Sequence, residues 1–336
     1  MSRSTSAILV HPNFDAGWPF AADHARRLWS SQGDVEFIRT GPEESRCVSE
    51  LLSDPASVTR LLAFGVPLTE RCVAALLQLR EAVAAGDERV LELLKGRGVR
   101  LIQHTSEGFW GQSVSEFALA LTLAALRRIP QTHRTMITSH ADWDYTPPGG
   151  IGRSGARGGQ FGDTTEFTSG TLEGKRVRIV GAGNIASRYA SFAHFMGADV
   201  AAWDPFAPEP NFHRAGARRE HFLDRLVREA EIFAPMVPLT DKTQGLVTAA
   251  HIEALPKGAL VVLVTRAGIV DMPTLRRRVL NDELALAADV FDMEPVPLDD
   301  PLLGRHNVVH TPHNAGRTRQ ANERFAEMLI EQFEPI

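Results

Sequence analysis

Cysteine is nearly missing from this 336-residue chain, with Cys47 and Cys72 the only two. Two thiols cannot build a disulfide framework or a four-thiolate metal centre, and such scarcity fits a reducing cytosol, a cytoplasmic location. An excess of positive charge is missing too. Lysine and arginine number 36 against 41 acidic residues, a formal net charge of -5. Nothing in that balance favours nucleic acid or an anionic membrane, so small molecules are the expected partners. No run reaches the roughly 20 uninterrupted apolar residues that cross a bilayer, and Met1 to Val10 lacks the long apolar core of a signal peptide. Hydrophobic residues, by contrast, make up 43% of the chain, enough for the cores of two ordinary domains.

Short β-rich runs alternate with helix-like stretches throughout, the pattern of parallel sheets covered by helices. Strands are expected at 7–11, 35–39, 60–64, 82–85 and 99–103, with amphipathic helices such as 20–30 and 69–79 between them. One long apolar helix is predicted over 114–135, N-capped by Ser113 with Glu116 three residues on. Segment 147–162, with seven glycines in sixteen residues, reads as a flexible loop. Six more strands are expected at 176–180, 199–203, 231–237, 259–264, 284–289 and 308–311, and a last helix over 317–333. The sequence thus predicts an α/β protein of two doubly wound domains.

The first chemical motif lies in the second half. Lys175-Arg-Val-Arg-Ile-Val180 is followed at once by Gly181-Ala182-Gly183-Asn184-Ile185-Ala186, a strand running into G-x-G-x-x-A and a helix. Gly181 allows a tight turn, Gly183 lets the backbone approach a pyrophosphate, and the small Ala186 permits close helix-strand packing. Amides at the start of the helix then face the phosphates. The next strand ends at Trp203 and is followed by Asp204, 21 residues after Gly183. An acid there accepts hydrogen bonds from ribose hydroxyls and repels a 2′-phosphate, which favours NAD over NADP. Arg214, Arg218 and Arg219 lie further on and leave room for NADP.

Three polar residues follow later strands of the same expected sheet: Arg266, Glu294 and His313. Ligands bind at that edge in open α/β sheets. At this point the sequence resembles the D-isomer-specific 2-hydroxyacid dehydrogenase family. The resemblance rests on the glycine motif at 181–186, Trp203-Asp204-Pro205, Pro238-Leu239-Thr240, Thr265-Arg266-Ala267-Gly268-Ile269-Val270-Asp271, Ala288-Asp289-Val290-Phe291-Asp292-Met293-Glu294-Pro295 and Thr311-Pro312-His313-Asn314-Ala315-Gly316. The motifs run in order over nearly the whole chain.

The resemblance implies a smaller, flavodoxin-like substrate domain from 1–108 and 314–336, and a Rossmann NAD-binding domain over 109–313 that carries the Gly-rich insertion 147–162. It implies an NAD(H)-dependent oxidoreductase, a 2-keto acid reductase that interconverts a short 2-keto acid and its D-2-hydroxy acid. Arg266 would grip the substrate carboxylate and polarise the keto oxygen. His313 would be the acid/base and Glu294 would orient its ring. Asp289 would hold the nicotinamide carboxamide. Cofactor contacts are implied at Gly181, Gly183, Asn184, Ile185, Asp204, Pro205, Met236, Val237, Pro238, Thr243, Val264, Thr265, Arg266, His313 and Gly316. A homodimer through the nucleotide domain is implied as well, and no metal. The alternative is a catalytically silent NAD(H)-sensing binding protein or corepressor on the same fold. Within the fold, formate dehydrogenases carry Gln where Glu294 stands, so the carboxylate points to a 2-hydroxy or 2-keto acid.

The chain departs from the family pattern in places. Leu263 replaces the usual Asn, Ala267 the usual Gly after the Arg, and Met236 a frequent His. The Gly-x-Gly-x-Asp substrate loop is reduced to Val83-Ala84-Ala85-Gly86-Asp87, in which the amides of Ala85 and Gly86 can still bind a carboxylate. His104 and Trp110, in the altered segment 103–113, are candidates for substrate contact or for hinge packing. Arg153 and Arg157 sit in the Gly-rich insertion and are candidates to close over a second anionic group of the substrate.

Overall fold

Strands buried on both faces are largely apolar, and most of the central strands of this chain are, in a computed structural model that describes residues 5–143 and 163–335. Among the described residues, twelve strands form two sheets, and every pairing within them is parallel. The Gly-rich segment 147–162, with Arg153 and Arg157, lies outside the described residues.

The chain divides into two compact units. The first joins Met1–Phe109 to Arg317–Ile336. Its sheet is built from β1 (Thr5–Val10), β2 (Val35–Arg39), β3 (Val58–Phe64), β4 (Glu81–Val83) and β5 (Arg100–Leu101), in the order β2-β1-β3-β4-β5. That is the flavodoxin-like winding. All seven residues of β3 are buried, Arg60 among them. Its guanidinium donates to Ser6 Oγ at 2.9 Å and lies over the Trp29 ring at 4.7 Å, so the buried charge is hydrogen-bonded rather than stranded. The helix Arg319–Ile330, N-capped by Thr318, packs on the helix Ala21–Ser30. Cys47 and Cys72 pair as a single disulfide at the starts of the helices Val48–Leu51 and Glu70–Ala75. A separation of 25 residues carries no hint of that pairing.

The second unit is Trp110–Gly316. It holds β6 (Arg176–Val180), β7 (Asp199–Trp203), β8 (Arg218–Arg219), β9 (Ile232–Pro235), β10 (Leu260–Leu263), β11 (Ala285–Ala288) and β12 (Val308–His310). Their order is β12-β11-β10-β9-β6-β7-β8. Read from β8 inward, the winding is that of the dinucleotide-binding fold with one strand added beyond β11. Seven strands replace the six expected. β8 pairs Arg218 with Ala201 and Arg219 with Ala202, and two charged residues carry no apolar alternation by which to recognise a strand.

The single helix expected over 114–135 is two helices, Gly111–Leu126 and Ile129–Thr138. Between them Arg128 turns left-handed, with φ at 50°. Pro130 is the cause: its ring excludes the carbonyl four residues back and it has no N–H to continue the ladder, so it is tolerated only in the first turn of a new helix. Ser113 is not the N-cap either. The helix begins two residues earlier, and the Ser113 hydroxyl donates to the Trp110 carbonyl at 3.3 Å. Together with the turn before it, Gly108–Leu126 is long and apolar enough to cross a bilayer, but half of it is buried in the protein. Its Ala118, Leu121 and Leu126 belong to the core of this unit. Thr122 shares a 2.9 Å hydrogen bond with Tyr189, whose phenol burial pushes up to about 12.

Candidate functional site

The winding of the second sheet reverses between β6 and β9, and at such a switch point the loops leaving the carboxyl ends of the strands part to open a crevice. β6 delivers the glycine turn to it. Gly181 takes φ +112°, a conformation L side chains rarely adopt, and a Cβ there would stand 3.0 Å from the Met236 carbonyl oxygen. Gly183 is different: nothing lies within 4 Å of where its Cβ would be, so the turn opens onto free space ahead of the helix Asn184–Phe195. A closed turn followed by an open one, on a helix N-terminus, is what a pyrophosphate requires. The turn therefore fits a dinucleotide.

Asp204, at the end of β7, is half-buried and already engaged. Its Oδ2 accepts the Ala182 N–H at 2.9 Å, and its Oδ1 accepts those of Phe206 at 2.9 Å and Ala207 at 3.0 Å. A carboxylate offers about four acceptor directions, which leaves roughly one for a ribose hydroxyl. Pro205 is exposed beside it. Of the arginines beyond, two are bound elsewhere: Arg218 pairs with Glu220 and Glu229, and Arg219 with Glu209 while lying over Phe212. Asn184 lies against Gly111 and accepts from Arg188 at 3.0 Å. Ile185 packs on the core.

On the other side of the crevice, Met236 and Val264 are core residues that offer only backbone, while Val237 is half-buried and Pro238 exposed. Thr243 organises its own loop, donating to the Pro238 carbonyl at 2.5 Å and accepting the Thr240 N–H at 2.8 Å. Thr265 donates to the Pro235 carbonyl at 3.3 Å, tying the ends of β10 and β9. Arg266 follows it, exposed, with one guanidinium nitrogen on the Thr265 carbonyl. Among the described residues no carboxylate pairs with it, so the group is available to an anion.

The loops after β11 and β12 meet. His313 Nδ1 stands 2.7 Å from Glu294 Oε2, with the ring 42% exposed, and Glu294 Oε1 accepts the Phe291 N–H at 2.8 Å. A carboxylate only accepts, so Nδ1 carries the proton, and among the described residues Nε2 has no hydrogen-bond partner. His313 itself is left-handed, φ 52°. What holds it there is Asp289, fully buried: its Oδ1 accepts from the Thr311 hydroxyl at 2.6 Å and the Asn314 N–H at 3.0 Å, its Oδ2 from the Ala315 N–H at 2.9 Å. Three bonds bracket residue 313. The carboxamide contact implied for Asp289 would have to use the one direction left. Asp289→Asn replaces an acceptor by a donor that faces an N–H or a hydroxyl, and should cost about 1–3 kcal/mol of stability, read as a lower denaturant midpoint. Gly316 sits under Trp110, whose ring would stand 2.4 Å from a Cβ there. Trp110 is thereby a packing residue of this unit.

The first unit holds the remaining candidates. Ala85 and Gly86 are exposed at the carboxyl end of β4, and Asp87 caps the following helix by accepting the Val90 N–H at 2.8 Å. His104 lies between Phe109 and Phe325, at 4.8 and 4.3 Å between ring centroids, and both its nitrogens are buried without a partner. Burial lowers its pKa. That is a packing environment. Asn211 is a residue the sequence reading missed: its Nδ2 donates to the Ala182 carbonyl at 3.1 Å, a contact only the folded chain reveals. Among the described residues no cluster of metal-ligating side chains exists.

Comparison with known proteins shows what the chain and its fold are similar to. Residues 119–315, more than half of the chain, match the family described as D-isomer specific 2-hydroxyacid dehydrogenase, NAD binding domain. A D-3-phosphoglycerate dehydrogenase of Methanocaldococcus jannaschii is 29% identical over 94% of this chain, which covers 55% of that protein. The chain thus spans about half the length of that relative. A glyoxylate reductase of Korarchaeum cryptofilum is 25% identical over 86% of this chain and 82% of its own. Among solved structures, a phosphoglycerate oxidoreductase from Rhizobium etli superposes with a TM-score of 0.71 at 20% identity, over 99% of this chain and 97% of that one. A D-lactate dehydrogenase from Treponema pallidum gives 0.68 at 19%, over 97% and 95%. Those two likenesses are of fold. The winding of both sheets, the glycine turn and the matched profile together make this chain a member of the D-isomer specific 2-hydroxyacid dehydrogenase family.

Proposed function

We propose that the protein is an NAD(H)-dependent oxidoreductase that interconverts a short 2-keto acid and its D-2-hydroxy acid. The observation that carries this reading is the 2.7 Å contact between His313 Nδ1 and Glu294 at the carboxyl edge of the sheet that bears the glycine turn. When bound, the dinucleotide supplies the hydride. The chain's own groups do the rest. Gly181, Gly183 and the amides after them receive the phosphates, and Asp204 accepts from the ribose and disfavours a 2′-phosphate, so NAD is preferred. Arg266, permanently charged and paired with no carboxylate among the described residues, binds the substrate carboxylate and polarises the 2-oxygen. His313 Nε2 donates a proton to that oxygen in the reductive direction and takes it back in the oxidative one. Glu294, through Nδ1, keeps Nε2 in position.

The test is NADH consumption with a panel of 2-keto acids, followed by absorbance. Turnover of at least one, dependent on NADH in preference to NADPH, is the expected result. Tight NADH binding with no turnover on any of them would instead favour the dinucleotide-sensing alternative. A homodimer through the second unit belongs to the same reading: the helix Ile129–Thr138 buries none of its residues and leaves Ile129, Met136 and Ile137 exposed.

A further inference from the structure

The glycine turn is gripped by two side chains from outside, and the function proposed above uses only Asp204. The other is Asn211, on the short helix Glu209–Arg214. We propose that Asn211 is a positioning residue for the phosphate-binding turn, fixing the peptide plane between Ala182 and Gly183 so that the Gly183 N–H faces the pyrophosphate. The inference rests on the dinucleotide reading of the site and deepens it.

The argument starts from the planarity of the peptide. In a trans peptide the carbonyl of one residue and the N–H of the next point in opposite directions. Asn211 Nδ2 holds the Ala182 carbonyl at 3.1 Å, so the Gly183 N–H is directed away from the helix Glu209–Arg214. Gly183 has open space around it, and that is where a ligand can meet this N–H. The preceding plane is held in the same manner, since the Ala182 N–H is donated to Asp204 at 2.9 Å.

Such a tether is needed because glycine stands on both sides. Gly181 and Gly183 have no Cβ to oppose rotation, so the peptide planes around Ala182 turn over at little steric cost unless something outside holds them. Ala182 is 3% exposed, and little water reaches its carbonyl in place of a lost donor. Asn211 is itself well anchored. The next residue, Phe212, is 1% exposed in the core, and Asn211 N–H donates to the Pro208 carbonyl at 3.0 Å. The segment 204–211 therefore leaves the turn at the Ala182 N–H, runs through the Phe206 and Ala207 amides held by Asp204 Oδ1, and returns at the Ala182 carbonyl. It forms one brace around a single residue.

Two variants test this. Asn211→Leu keeps the approximate shape and removes the donor; Asn211→Asp puts an acceptor against the carbonyl. Affinity for NADH and for ADP-ribose, which carries the pyrophosphate without nicotinamide, is measured by titration calorimetry. Both variants should bind either ligand about three- to tenfold more weakly, the loss of one neutral hydrogen bond. KM for NADH should rise in step, while kcat and the KM for the keto acid stay near those of the parent. Unchanged ADP-ribose affinity in both variants overturns the inference, as does a fall in kcat that merely tracks a lowered melting temperature. A parent chain that binds neither NADH nor ADP-ribose sinks the cofactor reading as well, and so separates the two failures.

Discussion

Replacing His313 by asparagine is expected to lower kcat roughly 10²- to 10⁴-fold, the usual contribution of a positioned proton carrier, while leaving the fold at least as stable as the parent. The two effects have separate causes. Activity falls because an amide neither carries the exchangeable proton nor spans the distance to Glu294, which the imidazole meets at 2.7 Å. Stability holds because residue 313 lies at φ 52°, in the left-handed region that asparagine enters more readily than histidine. The Asp289 bonds to Thr311, Asn314 and Ala315 remain in place. Steady-state kinetics and a denaturant titration on the same preparation read both. A variant that keeps more than about a tenth of parental turnover would remove the imidazole from the chemistry, given the size of the effect expected.

Arg266→Ala should cut kcat/KM for the keto acid by roughly 30- to 4,000-fold. Truncating one member of a charged, hydrogen-bonded pair costs about 2–5 kcal/mol, and each 1.4 kcal/mol is tenfold. KM and kcat should both suffer, because the same group binds the carboxylate and polarises the oxygen that receives the proton. Arg266→Lys should recover only part of the loss, since an ammonium is a point charge and cannot present two parallel N–H groups. NADH affinity should change far less than kcat/KM. A large loss of NADH affinity with unchanged keto-acid KM would place the guanidinium on the cofactor instead.

How much of this was legible in advance follows from the range over which each signal acts. The strand, glycine turn and helix at 176–186 are contiguous, and each residue's role follows from local backbone geometry, so the run reads correctly as a unit. Arg266, Glu294 and His313 each follow an apolar strand and could be placed at a sheet edge. The meeting of His313 with Glu294, which the motif resemblance implied, depends on β12 lying beside β11. Pro130 divides the helix expected over 114–135 because its break is local, whereas the apolar run around it reads as one continuous face. Asn211 was hidden because its partner is 29 residues away and is a carbonyl, which leaves no trace in side-chain pattern. The packing of Trp110 on Gly316 crosses most of the second unit's sequence and was hidden for the same reason. Asp289 carried the right position with only part of its work, since its buried bonds to the loop of residue 313 exist only once β11 and β12 are paired.

The first unit takes its last helix from the far end of the chain, and that has a consequence for how the protein is made. Ala326, Leu329, Ile330 and Phe333 close one face of the sheet together with Ile8, Val10, Trp29 and Leu62. A ribosome delivers the two halves of that face some three hundred codons apart. The second unit is synthesised whole in between and can collapse as it emerges, because domains generally fold as units during translation. Until the closing helix arrives, the nascent N-terminal sheet carries an open apolar side, a natural target for a chaperone. The N-terminal sheet is therefore begun before the second unit and completed after it.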